Sequence, residues 1–340
     1  MTLKDIAKRA GVSVSTVSRI INSEDNSFAR KEVRDKVWEI IKETAYIPNQ
    51  NAIDLKQSKR HATHCTINLT CILGYSKNLE ETPFYAQVAR SIEQKALSLG
   101  YVVSLFYSIL DITDKDLLHK IETTKTDGAI ILGQFHIESL KFLKKHYKNL
   151  IYVGRTQVEA DIDQIICDGY EASKSAIQHL IQKGHKRIGY IGETTNEVRY
   201  KAYKDVMTAE KLSFDRNLVC SCRNNGDSRC KGADLLIKKA TPLPTAIFCA
   251  TDIAAIAAMK RMKKAGIKVP QDISIISMDD IEMAAFTSPM LTTISMPKSE
   301  LGHIAVQTLI SRIHKNHKLP IKIYVPYKLS IRESVSHVNH

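Results

Sequence analysis

Apolar residues recur at helical spacing at the start of the chain and give way, after Thr66, to short strand-like runs alternating with amphipathic stretches. Leu3, Ile6, Ala7 and Ala10 share one side of a helix, and Thr2 followed by Asp5 has the spacing of a capping box at its start. Gly11 supplies the left-handed residue that ends this helix. Ser13 restarts the chain as an N-cap, and Val14, Val17 and Ile21 form an inward i, i+3, i+7 stripe flanked by Ile20. A third amphipathic helix fits residues 30–43, with Val33, Val37, Ile40 and Ile41 inward. Helix, glycine turn, helix and supporting helix is the order of a helix-turn-helix unit.

Beyond it, Pro48 breaks the third helix, and residues 49–56 fit one further short helix with Ala52 and Leu55 on one side. A Lys/His/Thr-rich linker runs from Lys59 to Thr66. Strands are then expected at 66–73, 101–106, 128–132, 150–153, 187–191, 246–250 and 273–277. Helices are expected at 84–99, 116–122, 171–183, 196–211 and 252–264. This alternation predicts parallel sheets covered on both faces, and the length predicts two doubly wound subdomains. The expected organisation is an α/β protein with an all-α N-terminal headpiece. A helix-turn-helix domain would span 1–45, a hinge helix and linker 46–62, and a ligand-binding and dimerisation core 63–340. Ligands of such cores bind beyond the carboxyl ends of the strands. The candidates there are Gly154 and Arg155, Glu193 and Thr194, Thr251 and Asp252, and Asp279 and Asp280, all of which serve equally well as caps and turns.

The second helix carries the most specific chemistry. Ser15, Ser18, Arg19 and Asn22 fall at i, i+3, i+4 and i+7 on one face; all are polar hydrogen-bonders and none is acidic. A generic solvated face mixes Glu with Lys, whereas this one suits phosphate oxygens and base edges in a major groove. Charge adds less. The chain has 49 Lys and Arg against 36 Asp and Glu, a formal +13, yet only +4 of it lies in residues 1–60. That is a tilt and not a basic tail.

Composition excludes disordered and fibrous classes, with 44% hydrophobic and 25% charged residues. No uncharged apolar run is long enough to span a bilayer, and Lys4, Asp5, Lys8 and Arg9 interrupt any secretory h-region, so a cytoplasmic protein without membrane contact is expected. The seven cysteines are read as reduced thiols. Cys220, Cys222 and Cys230 lack the spacing and the fourth ligand of a zinc site, so neither metal nor cofactor is expected. No phosphate-binding glycine loop, nucleophile elbow or zinc-protease motif is present, and no catalytic residue is assigned.

Three ordered segments resemble the DNA-binding headpiece of the LacI/GalR transcription regulators. They are Leu3-Lys4-Asp5-Ile6-Ala7-Lys8-Arg9-Ala10-Gly11-Val12-Ser13, Thr16-Val17-Ser18-Arg19-Ile20-Ile21-Asn22 and Tyr46-Ile47-Pro48-Asn49. The likeness continues through Asp127-Gly128-Ala129-Ile130-Ile131, through His179-Leu180 with Gly184-His185, and through Thr251-Asp252 and Asp279-Asp280, covering essentially residues 2–333. It implies a homodimeric repressor that binds a palindromic double-stranded operator and carries a periplasmic-binding-protein-like core for a small effector. That effector would be a sugar, of galactose or galactoside type in the nearest-looking branch. By position, Val14, Ser15 and Arg19 match base-reading residues, while Thr2, Ser13, Thr16, Ser18, Asn22 and Tyr46 fall in the DNA-contacting segments. Asn49, Ala52 and Leu55 match the hinge helix whose leucines wedge into the minor groove. Phe84, Tyr85, Val88, Arg155, Arg199, Thr251 and Asp279 match the effector site. Two departures stand out. Asp54 sits beside the hinge leucine where a basic or small residue is usual, and Gly154 replaces the aspartate that many members carry before the arginine.

The resemblance favours a ligand-gated transcription factor. A cytoplasmic sugar-binding receptor without a DNA role is the alternative, and the attached headpiece argues against it.

Overall fold

The computed structural model describes residues 3–22, 29–44, 68–74, 79–80, 82–222 and 228–338. Thr2, Tyr46, Asn49, Ala52, Asp54 and Leu55 lie outside them, as does the expected hinge helix. The chain divides into two compact units, residues 1–65 and 66–340.

The first unit holds α1 (Leu3–Ala10), α2 (Val14–Asn22) and α3 (Lys31–Glu43). Gly11 has φ +73°, and the Val12 amide donates back to the Ala7 carbonyl at 3.1 Å, so the chain turns within the three residues between α1 and α2. Ser13 caps α2, its Oγ accepting from the Thr16 amide at 3.1 Å. Ile6, Ala7, Ala10, Val17, Ile20, Val37 and Ile40 close a small core. One expectation is corrected: Val14 is 37% exposed and does not join the inward stripe. It opens α2, one turn before the buried Val17.

The second unit contains two six-stranded sheets. The first is built from β1 (Asn68–Leu73), β2 (Val102–Ser108), β3 (Gly128–Leu132), β4 (Leu150–Gly154) and β5 (Asp163–Ile166). Among these run α4 (Pro83–Ser98), α5 (Lys115–Thr123) and α6 (Ile137–His146). The second contains β6 (Ile188–Gly192), β7 (Val219–Ser221), β8 (Ala246–Cys249), β9 (Ser274–Asp279) and β10 (Thr292–Ser295). Its helices are α7 (Gly169–Gln182), α8 (Val198–Ala209), α9 (Ser228–Lys239) and α10 (Asp252–Lys264). The chain then returns to the first sheet with α11 (Lys298–Ile313) and β11 (Lys322–Tyr324) before ending in the second with β12 (Lys328–Ser330).

Strand order is β11-β5-β4-β3-β1-β2 in the first sheet and β12-β10-β9-β8-β6-β7 in the second. Every pairing is parallel except β10 with β12. The two doubly wound subdomains are therefore present, but they are not successive halves of the chain. Three crossovers join them, at Cys167–Asp168, at Met296–Pro297 and between β11 and β12. Helix α11 packs on α4 of the first subdomain although it follows β10 of the second. Sequence periodicity did not predict α6, α9, α11, β5, β7 or the last strands. Strands of three or four residues are too short to show alternation, and the inward positions of α9 include Gly232 and Ala233, too small to read as an apolar stripe. One apolar cluster spans both subdomains, from Leu69, Val88, Ile130 and Val153 to Tyr190, Phe248 and Met278, so the crossovers are packed into the core.

Candidate DNA-reading face and effector cleft

The described side chains on the outer side of α2 are turned to solvent: Val14, Ser15 and Arg19 are exposed, and Thr16 is half-exposed. Ser13 Oγ also shares hydrogen bonds with Ser15 Oγ at 2.7 Å and Thr16 Oγ1 at 2.8 Å. The start of the helix is thus a tied cluster of three hydroxyls beside unpaired helix N–H groups, an arrangement that favours an anion. No acidic residue lies within α2.

In the core, the candidate effector residues converge on the carboxyl edges of the two sheets. Arg155 follows β4, and its guanidinium crosses to Asp279 at the end of β9 in a direct Nη2 to Oδ1 ion pair between the subdomains. The same guanidinium lies 4.3 Å from the Phe84 ring centre and 5.4 Å from that of Tyr85, both in the first turn of α4. These rings meet edge to face at 4.9 Å. Val88, one turn further, has no exposed surface and backs Phe84 from within the core.

Arg199, in the first turn of α8, is held by a residue that sequence reasoning missed. Glu197 caps α8 and grips Arg199 through the backbone amide at 3.1 Å, Nε at 2.8 Å and Nη2 at 2.7 Å. Arg199 Nη1 donates to the Ala250 carbonyl at 2.6 Å. Three of its five N–H donors are thereby committed. The Glu-x-Arg spacing at a helix start was the available signal, since Glu can cap and chelate at once. Burial alone would raise the Glu197 carboxyl, but Arg199 outweighs it and holds it below the usual range. Asp279 goes the other way. Its burial outweighs Arg155, Arg199 and Lys298, and its acidity is weakened.

Asp279 and Asp280 have φ of +116° and +50°, in the left-handed region that costs a non-glycine residue about 1–3 kcal/mol. Lysine and arginine side chains hold this turn. Lys298 Nζ donates to the Asp279 and Asp280 carbonyls at 2.6 and 2.8 Å. Asp280 turns away to Arg332 Nη2 at 2.6 Å, so the adjacent carboxylates serve different partners. Beneath them the buried Asp252 carboxylate accepts from Ser277 Oγ (2.6 Å), Thr293 Oγ1 (2.6 Å) and the Ile281 amide (2.7 Å). Burial, reinforced by Asp279, pushes Asp252 up to about 7.

Thr251 acts as a cap, its hydroxyl accepting from the Ala254 amide at 3.2 Å beside the carbonyl that receives Arg199. Thr194 donates to Ser221 Oγ at 3.0 Å, and the Glu193 carbonyl accepts from Tyr190 Oη. Of the four post-strand pairs, Arg155 and Asp279 are brought together, while Thr251, Asp252 and Asp280 brace the backbone around them. The Cys220 and Cys222 thiols are buried in the outer cluster of the second sheet, where burial pushes Cys220 up to about 11. Among the described residues, no helix is long and apolar enough to cross a membrane.

A three-helix unit with a solvent-facing, acid-free second helix, followed by two parallel sheets with a polar cleft, defines a ligand-responsive DNA-binding regulator. Comparison with known proteins agrees. Residues 2–49 match the family described as bacterial regulatory proteins, lacI family, and residues 177–335 match the periplasmic binding protein-like domain. The chain is 31% identical to the HTH-type transcriptional repressor PurR of Haemophilus influenzae (strain PittEE) over 346 residues, covering 99% of each. It is also 31% identical to PurR of Aliivibrio fischeri (strain ATCC 700601 / ES114), covering 98% of each. Among solved structures, the cellobiose complex of the transcriptional regulator CelR matches with a TM-score of 0.71 at 25% identity, covering 98% of this chain and 99% of that one. The lac repressor dimer bound to operator and the anti-inducer ONPF matches with a TM-score of 0.70 at 22% identity, covering 99% of each chain. The chain belongs to the lacI family of bacterial regulatory proteins and is a DNA-binding transcriptional repressor of that type.

Proposed function

We propose that two copies of this chain hold a palindromic operator through α2, and that a sugar bound between the core sheets resets operator affinity. The observation that carries the DNA half is the outer face of α2. Arg19 supplies a guanidinium for a guanine O6/N7 pair, Val14 an apolar contact for a thymine methyl, and Ser15 a hydroxyl. Ser13, Thr16, Ser18 and Asn22 address phosphates and set register. Asn49, Ala52 and Leu55 form the minor-groove wedge, with Thr2 and Tyr46 in the flanking contact segments.

The effector half rests on the two carboxylate–guanidinium pairs. A sugar hydroxyl both donates and accepts, and each pair offers an acceptor beside remaining N–H donors. Phe84, Tyr85, Arg155, Arg199, Thr251 and Asp279 line the site, with Val88 behind the aromatic wall. Because Arg155 and Asp279 belong to different subdomains, a ligand that engages both biases the angle between the sheets, and this couples to operator affinity. A purine is the second reading, favoured by the relatives called PurR. Against it, a planar base binds through open aromatic faces, and Arg155 already covers Phe84 at 4.3 Å.

The test is operator binding at fixed salt with galactose, lactose, cellobiose, ribose, adenine and guanine. A shift with a sugar supports the reading and gives the sign of the coupling. A shift with a purine alone replaces it, and no sequence-specific DNA binding removes it altogether.

A further inference from the structure

Six buried side-chain polar atoms among the described residues have no hydrogen-bond partner, and their distribution is uneven. Tyr152 Oη, Arg155 Nε and Thr156 Oγ1 fall within five residues at the end of β4, and Thr82 Oγ1 stands just before the α4 turn that carries Phe84 and Tyr85. A buried polar group without a partner is costly, so such groups are rare, and each calls for a physical reason.

The Tyr152 hydroxyl reaches this edge by a specific device. Tyr152 and Gly154 lie two residues apart on one face of β4, and a Cβ at Gly154 would fall 1.9 Å from the Tyr152 oxygen. Glycine at 154 therefore lets the phenol curl over the strand end. On the neighbouring strand, the Tyr85 ring lies over Gly133, where a Cβ would fall 2.9 Å from it. The Gly133 amide donates to the Val153 carbonyl at 2.9 Å, so the two glycines are neighbours and bring the two tyrosines to one edge.

The second sheet repeats the device and resolves it differently. Tyr190 and Gly192 stand two apart at the end of β6, and a Cβ at Gly192 would fall 2.7 Å from the Tyr190 oxygen. There the hydroxyl donates to the Glu193 carbonyl at 2.7 Å. Tyr152 has no such acceptor: the Thr156 backbone amide points a donor at its oxygen, and nothing receives the hydroxyl proton.

We propose that Tyr152 is a specificity-determining residue of the effector cleft, its hydroxyl held in place of a side chain at position 154 to pair, together with Arg155 Nε, with a hydroxyl-bearing face of the ligand. The inference rests on the sugar reading above for the class of ligand, while the placement of the hydroxyl stands without it. One obligate donor beside three hydroxyls complements groups that donate and accept in turn, as sugar hydroxyls do.

Tyr152→Phe and Tyr190→Phe test it, each removing one oxygen. Without added ligand, Tyr152→Phe is expected to melt at or above the wild-type Tm, because an unpaired buried hydroxyl is lost. Tyr190→Phe is expected to melt about 2–4 °C lower, because a made bond is lost. A fall of that size in Tyr152→Phe overturns the proposal by showing that its hydroxyl is structural. With whichever of galactose, lactose, cellobiose or ribose shifts the wild-type protein, Tyr152→Phe is expected to raise Kd about tenfold. An unchanged Kd overturns the proposal. If none of these sugars binds the wild-type protein, the sugar reading fails, and the melting comparison alone decides the role of Tyr152.

Discussion

The headpiece and the core cleft place their proposed recognition chemistry in opposite environments. On α2, Val14, Ser15 and Arg19 face solvent, outside the cluster of seven buried apolar side chains that forms the headpiece core. In the cleft, Arg155, Asp279, Glu197 and Arg199 are mostly withdrawn from water and consume one another's charge. Exposed recognition residues are almost independent of folding, so they can change with the operator at little cost. Buried ones are fixed in place before ligand arrives, which reduces the ordering that binding requires. In exchange, each becomes part of the stability of the core.

The largest expected effect follows directly. Glu197→Gln removes the negative charge that satisfies Arg199 and leaves a buried guanidinium uncompensated. Losing one partner of such a pair costs about 3–5 kcal/mol. Denaturant unfolding of the core is expected to show that loss, with the effector response gone as well, while Arg19→Ala leaves the core midpoint unchanged. A Glu197→Gln midpoint equal to wild type would erase the contrast between the two regions.

Proton linkage sharpens the contrast next. Asp252 is raised from its ordinary 3.8 to about 7, so over that interval the folded state holds a proton that the unfolded chain has released. Its contribution is fully present below pH 3.8 and is lost as pH rises through about 7, by about 4 kcal/mol. Glu197, Asp163 and Asp280 are held below their usual range and act in the opposite direction. They cancel when wild type is compared with Asp252→Asn. The stability difference, wild type minus variant, is expected to decline from pH 4 to pH 7 in the core transition, with no counterpart in the headpiece. A flat difference would mean that Asp252 is ionised throughout.

Arg19→Ala comes third and acts on the other region. A bidentate guanidinium–guanine contact carries about 1–3 kcal/mol of discrimination. Competition between operator variants is expected to lose that much at one base position, with sugar binding and core stability untouched. Equal weakening on all DNA sequences would reassign Arg19 to a phosphate.

The same contrast explains what was readable in the residues alone. The headpiece is local: Gly11, Ser13 and rows of residues three and four apart predict its turn, cap and core face, and among its described side chains Val14 had to be moved outward. The doubly wound class and most long elements of the core were equally legible, because β-branched runs and amphipathic rows are local signals too. The return of α11 and β11 to the first sheet was not, since nothing in Lys298–Ile313 marks which sheet it will cover. In the cleft, Arg155, Arg199 and Asp279 were named, but how they pair was not. Arg155 meets Asp279 across 124 positions, and such pairings exist only once both sheets are built. Glu197 was missed although it lies two residues from Arg199, because a helix-capping carboxylate and a site carboxylate look alike in sequence.

The smallest effect tests whether the two regions differ as cleanly as their exposures imply, because Ser13 caps α2 and is also proposed to meet a phosphate. Its Oγ caps α2 through the Thr16 amide, so Ser13→Ala is expected to cost the headpiece about 1 kcal/mol and the core nothing, read as a shift confined to the headpiece transition. Operator affinity falls in that variant under either role, so Ser13→Asp is needed to separate them. Aspartate keeps the cap and places a negative charge at the helix start, where the dipole favours it, so the headpiece is expected to melt at or above wild type. The same charge repels a phosphate approaching the N-terminus of α2, so operator binding is expected to weaken on every DNA sequence alike. A stabilised headpiece that binds DNA less well would place folding and recognition on one hydroxyl, making Ser13 the point where the exposed region behaves like the buried one. If Ser13→Asp binds operator as wild type does, the hydroxyl serves the helix alone, and phosphate positioning falls to Thr16, Ser18 and Asn22.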